Sequence, residues 1–427
     1  MRRIRKGGTA RMAVAAAVVV AGSVGMVASS SAKTAHAAGS LGAVDWYSSL
    51  PLVGSSSAQT GPAVNGIKLA LKQANDTAGH YKITYQSLDD ATASAGQWTS
   101  EATSADARKA ATDPKAVYYI GEFNSGASEV SMPILNKAGI AQDSPANTYV
   151  GLTASLKGVT AKGEPGIYYP SGKRTYTRIV PLDTIQGAAD LDALKSAGCT
   201  KLGIFDDTQA YGAGLEAVLK ATASEYGIQV VKVEANAQVQ SNYSSVAEAF
   251  KSAGAQCVEV SATTASVNGT AIVSAVHSAL PKATILGPDG MCTSAWVTDT
   301  NVLCTVATLD MKAYPGGEKF LAAYKKAYGV SNPDPYSIYG YESAELGLHA
   351  LSQVKAGLSG ASLQAAMVKA LFATKNLSSV LGKFSINSAG DTTLTSYGLY
   401  KLAPGTNKAD TLTFYKTLKP TKYLHAS

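Results

Sequence analysis

From residue 62 to 76, apolar side chains recur at Val64, Ile67, Ala70, Leu71 and Ala74. That spacing predicts a helix with one buried face and Pro62 in its first turn. Residues 82–86, Lys-Ile-Thr-Tyr-Gln, then read as a strand. Residues 102–112 predict a helix, and 116–121 a buried strand ending in Gly121. A helix over 128–138 and a strand over 139–142 follow. This alternation is the rhythm of a parallel sheet covered by helices on both faces.

The rhythm restarts after Arg174. Strands are predicted at 202–206, 229–234, 258–262 and 284–287, with helices at 211–226, 243–252 and 269–279. Ala193-Leu194-Lys195-Ser196-Ala197-Gly198 is echoed by Ala249-Phe250-Lys251-Ser252-Ala253-Gly254. Each segment closes a helix on a glycine just before a strand. Two similar doubly wound α/β lobes are the economical reading. Residues 153–175 predict a linker, 318–328 and 341–355 two more helices, and 382–401 strands around a Ser-Ala-Gly-Asp turn.

The amino terminus changes the meaning of the charge. Arg2, Arg3, Arg5, Lys6 and Arg11 precede an uncharged Ala/Val-rich run from Met12 to Ala28, and Ala35-His36-Ala37 suits signal peptidase. Residues 1–37 therefore read as a cleaved secretory signal, with an uncleaved anchor as the alternative. They hold six of the 37 Lys and Arg residues and none of the 30 Asp and Glu. The mature chain is left with 31 against 30, a net charge of +1. Basicity belongs to targeting and does not point to nucleic acid. All four cysteines, Cys199, Cys257, Cys292 and Cys304, lie in the exported part. An oxidising compartment favours disulfides, for which three pairings are open.

Catalytic chemistry is sparse. His80, His277, His349 and His425 show no metal-ligand spacing, and no nucleophile elbow or Walker loop occurs. Gly212-Ala213-Gly214-Leu215-Glu216-Ala217 has the G-x-G-x-x-A form of a dinucleotide loop, but Asp207 to Tyr211 separate it from its strand. Three loops after strands carry more. Two are rich in hydroxyls: Gly121 to Ser128, and Asp143 to Tyr149. Free N–H groups at a helix start, with Ser and Thr hydroxyls, can trap a carboxylate. The third, Gly287-Pro288-Asp289-Gly290, offers an acid for an ammonium.

These segments resemble the type I periplasmic binding proteins of the Leu/Ile/Val-binding, branched-chain amino-acid family. The resemblance spans nearly all of residues 42–401. It includes Tyr47-Ser48-Ser49-Leu50-Pro51-Leu52, Asn65-Gly66, the Gly121 loop, Ser144-Pro145-Ala146-Asn147-Thr148, Tyr211-Gly212-Ala213-Gly214, the Asp289 loop and Gly382-Lys383-Phe384. It implies that Ser125 and Thr148, with Gly126 and Asn147 beside them, meet a ligand carboxylate. It further implies that the Ala146 backbone and Asp289 hold an ammonium, and that Tyr211 closes over the ligand. Thr60 stands where such binders often place a Trp, and Thr263 and Thr264 where they place an aromatic.

The expected fold is two Rossmann-like lobes joined by three hinge crossings, near 178, 311 and 381. Lobe I would comprise 41–178 and 311–380, and lobe II 179–310 and 381–425. Cys199 and Cys257 sit just before strands that are neighbours in a 2-1-3 order, and Cys292 and Cys304 bracket a short local loop, so the expected pairs are Cys199–Cys257 and Cys292–Cys304. The expected function is capture of a small amino acid, amide or carboxylate by a secreted or surface-held, monomeric protein serving an ABC permease. The expectation includes no enzyme activity, cofactor, metal or nucleic acid. The alternatives are a secreted solute sensor and an exported oxidoreductase using the Gly212 loop.

Overall fold

The computed structural model describes residues 41–293, 296, 301–402 and 412–426. The expected signal, residues 1–37, lies outside them. The first sheet has the order β2-β3-β1-β6-β7-β8, with β1 Gly42–Ser49, β2 Thr77–Ala78, β3 Tyr81–Leu88, β6 Ala116–Ile120, β7 Ala141–Ser144 and β8 Tyr176–Arg178. All its pairings are parallel except β2 with β3. A separate hairpin, β4 (Ala91–Thr92) and β5 (Gln97–Trp98), follows β3. Helices α1 (Ser57–Gln73), α2 (Ser100–Thr112) and α3 (Ser125–Ala138) connect these strands.

The chain then crosses to a second sheet. Its order is β10-β9-β11-β12-β13-β16-β17, with β9 Lys201–Asp206, β10 Gln229–Ala235, β11 Cys257–Ser261, β12 Thr284–Gly287 and β13 Val302–Val306. Strands β16 (Tyr397–Leu402) and β17 (Leu412–Leu418) extend it antiparallel. Helices α4 (Asp183–Ser196), α5 (Ala210–Thr222), α6 (Ser244–Ser252) and α7 (Gly269–Ala279) cover this lobe. Between β13 and β16 the chain returns to the first lobe. There it forms α8 (Gly317–Tyr328), α9 (Tyr336–Ser352), α10 (Gly360–Phe372) and a hairpin, β14 (Leu377–Ser379) with β15 (Gly382–Phe384). Both parallel cores share one doubly wound order, so the loops after their carboxyl ends face a common crevice.

Local differences from the expected elements have local causes. Helix α1 begins at Ser57, which leaves Pro62 inside it rather than in its first turn. The Thr60 hydroxyl and the Ser56 carbonyl organise those opening turns, with Thr60 N–H bonded to Ser56 O at 3.0 Å. Helix α9 starts five residues before the expected Tyr341, because the Asp334 carboxylate accepts the Tyr336 N–H at 2.9 Å and Pro335 has the φ a helix start needs. Helix α3 also starts earlier, at Ser125.

The disulfides join Cys199 to Cys257 and Cys292 to Cys304, with Cα–Cα distances of 5.9 and 5.3 Å. Strands β9 and β11 are neighbours, which brings the first pair together. Non-reducing peptide mapping is expected to recover these two linkages. Chain-entropy estimates give each about 3–4 kcal/mol as an upper guide. A Cys257–Cys292 peptide would contradict the pairing.

Candidate functional site

Five of the nine expected ligand residues line one cavity between the sheets: Ser125 and Ala146 from the first lobe, and Tyr211, Thr263 and Asp289 from the second. Phe123, Asn124, Gly290 and Tyr336 complete it. The space left between these side chains is about 10 Å³, room for about one water molecule. The lobes are therefore closed upon each other.

Asp289 is the centre of this closure. It follows β12 and is buried. Its Oδ1 accepts the Tyr211 hydroxyl at 2.5 Å and Gln186 Nε2 at 2.7 Å, and its Oδ2 accepts the Tyr336 hydroxyl. Its backbone carbonyl accepts Gln59 Nε2 at 2.9 Å. Gln59 on α1 and Tyr336 on α9 belong to the first lobe, so two of these bonds cross the cleft. Burial raises the Asp289 pKa, and the three side-chain donors work against that rise. Phe123 packs edge-on against Tyr336, with ring centroids 5.0 Å apart.

Ser125 opens α3, whose N-cap Asn124 makes no side-chain cap bond. The first N–H groups of a helix have no partner within it. That makes the cavity wall at Ser125 electropositive. Ala146 N–H is held by Ser144 Oγ at 3.1 Å.

The other four expected residues stand elsewhere. Thr60 does not face the cavity; its hydroxyl donates to the Pro51 carbonyl at 2.5 Å, and its neighbour Gln59 makes the reach across. Asn147 braces loops: Nδ2 donates to Phe123 O at 2.8 Å, and Oδ1 accepts the Ser128 and Tyr176 hydroxyls. Its amide is thus occupied. Thr148 is buried beside Asp183, and its Oγ1 meets no partner in hydrogen-bond geometry. Burial pushes Asp183 up to about 7, with the nearby Thr148 hydroxyl pulling it down. Gly126 lies under the Trp98 ring, where a Cβ would come within 2.8 Å.

Trp98 was not among the expected site residues, nor were Tyr336, Gln59 and Gln186. At the cleft mouth Trp98 Nε1 donates to Gln209 Oε1 of the second lobe at 3.2 Å, and Gln209 Nε2 reaches Gln97 Oε1 at 3.3 Å. The remaining tryptophans, Trp46 and Trp296, are fully buried. Ligand-driven opening and closing should therefore alter fluorescence through Trp98. Trp98→Phe is expected to remove most of the ligand-induced change while shifting affinity only severalfold. A change that survives intact would mean this clasp does not move.

The Gly212 motif has a packing role. A Cβ on Gly212 would lie 2.3 Å from both Asp207 Oδ1 and Ser261 O, and one on Gly214 would lie 2.5 Å from the Tyr149 ring. The glycines let α5 approach β11 and the opposite lobe, where a dinucleotide fingerprint would admit a pyrophosphate.

Two doubly wound lobes closing on a crevice are a binding-protein architecture, and residues 48–406 match the model of the family described as "Periplasmic binding protein". The chain belongs to that family. This binding protein is 24% identical over 295 residues to Leu/Ile/Val-binding protein homolog 3 of Brucella melitensis, covering 67% of the chain and 73% of the relative. It is 25% identical over 362 residues to Leu/Ile/Val-binding protein BraC3 of Rhizobium johnstonii, covering 83% and 90%. The leucine-binding protein LivK of Thermotoga maritima has a similar fold, with a TM-score of 0.72 at 20% identity, covering 88% of this chain and 99% of that one. No helix among the described residues is long and apolar enough to cross a membrane.

Proposed function

We propose that the protein captures a small α-amino acid in the inter-lobe cavity and presents it, outside the cytoplasm, to an ABC permease. The observation that carries this reading is the polarity of the cavity. The opening turn of α3 at Ser125 is an anion-favouring wall, and the Asp289 carboxylate is the acid that lines the cavity with it. A zwitterion with carboxylate and ammonium on adjacent groups matches that arrangement. Relatives named for Leu, Ile and Val binding support an aliphatic side chain. Thr148 would turn its hydroxyl to the carboxylate once the lobes part around the ligand. The two lobes would then move as two bodies about the hinge.

Thermal melting of the exported chain against the common amino acids, short amides, benzoate and NAD tests this. A ligand at a hundred times its Kd stabilises by about 2.7 kcal/mol. An aliphatic amino acid should give the largest rise. A rise with NAD and none with any amino acid would favour the oxidoreductase alternative instead.

A further inference from the structure

A second cavity lies outside the cleft, between α8, α9 and the β14–β15 hairpin, with a volume of about 700 Å³. That is within the range of small-molecule sites. Its walls include Phe320, Leu377 and Val380. Glu342, Glu345 and His349 come from one face of α9 at three- and four-residue steps.

Glu342 sets this cavity apart from an ordinary groove. Its side chain is fully buried, lines the cavity, and has no hydrogen-bond partner on either carboxylate oxygen. The Ser379 hydroxyl and the Val380 and Leu381 N–H groups stand near enough to favour its anion, but none meets it in hydrogen-bond geometry. A buried carboxyl without partners is costly, so such a group marks a place that expects a donor. The charge acting most directly on Glu342 is another acid, Glu345. Among the described residues no group of three His, Cys, Asp or Glu is arranged to hold a metal.

We propose that this cavity is a second ligand site, separate from the cleft, which takes a primary ammonium on a short apolar chain. The ammonium would meet Glu342 with Glu345 beside it, and the chain would lie against Phe320, Leu377 and Val380. Pro315 and Gly316, just after the return crossing from β13, line the same cavity. Occupancy would therefore brace one hinge segment against the β14–β15 hairpin.

The site carries a pH signature. Burial raises Glu342 to about 8, and Glu345 is raised by burial too. Below that value an incoming ammonium must displace the Glu342 proton, so affinity should rise between pH 6 and pH 8, by up to about tenfold per unit. The other ionisable groups facing the cavity are Lys319 from α8, and Tyr341 and His349 from α9.

Calorimetry with n-butylamine on the exported chain is the test. Binding should strengthen from pH 6 to pH 8 and persist in Asp289→Asn, which removes the only acid among the described residues that line the cleft cavity. Glu342→Gln should weaken n-butylamine at least tenfold and leave amino-acid binding in the cleft unchanged. If Glu342→Gln fails to fold, Glu345→Gln decides, with an expected severalfold loss. No n-butylamine binding, binding that disappears in Asp289→Asn, or binding unaltered in both glutamate variants would overturn the proposal. Failure of amino acids to bind the cleft would leave these readings untouched.

Discussion

Asp289→Asn is expected to weaken binding of the best amino-acid ligand about ten- to a hundredfold. The substitution retains shape and removes charge, and a charge-assisted hydrogen bond contributes about 1.5–3 kcal/mol. The same carboxylate also ties the lobes together through Tyr336, while its backbone carbonyl holds Gln59. The unliganded protein should therefore lose stability as well, by about 1–3 kcal/mol. An acid facing an open cleft would show no such loss. Tyr336→Phe separates the two roles: it removes one closing bond and leaves the acid, so it should affect melting more than head-group recognition. Thr148→Val should lower affinity about as much as Asp289→Asn if its unpartnered hydroxyl turns to the ligand. Calorimetry and thermal melting decide. Unchanged affinity in both Asp289→Asn and Thr148→Val would sink the head-group assignment.

The largest loss of stability is expected from Asp391→Ala. Arg178, at the end of β8, is fully buried, and its Nε donates to Asp391 Oδ1 at 2.9 Å. Its Nη1 holds the Asn147 and Tyr149 carbonyls at 3.1 and 2.8 Å, and its Nη2 donates to the Thr153 hydroxyl at 2.5 Å. Thr153 in turn donates to Asp391 at 2.8 Å. One ion pair thus ties the end of β8 to the segment after the β14–β15 hairpin and braces the loop that carries Ala146 and Thr148. Removing the acid leaves a buried guanidinium uncompensated, which costs about 3–5 kcal/mol. That is a large share of the 5–15 kcal/mol typical of a folded domain. Denaturant unfolding should show it, and ligand affinity should fall with it as the loop loosens. A loss under about 1 kcal/mol would mean that water reaches this pair and screens it.

Much of the architecture was legible because it rests on short-range physics. Helix α7 and strand β12 have the bounds their periodicity predicts, residues 269–279 and 284–287. Both carry clean apolar spacing bounded by breaking residues. Where a boundary depends on a side chain bonding back to the chain, as with Asp334 at the start of α9, periodicity placed it late. That shift matters, because it hid Tyr336 from the site.

The sequence by itself determined the paired α/β rhythm, the neighbouring positions of the cysteines, and the loops after the strands that form the crevice. Each follows from composition or from a repeat along one stretch of chain. Only the tertiary structure decided which residues meet. Tyr336, Gln59 and Gln186 converge on Asp289 from positions 47, 230 and 103 residues away in the chain. Trp98 finds Gln209 across 111 residues. Glu342 is left without a partner beside a cavity built from α1, α8, α9 and the β14–β15 hairpin. A hydrogen bond needs approach within about 3 Å. At such separations only the packing of whole lobes sets that distance, and no local pattern records it.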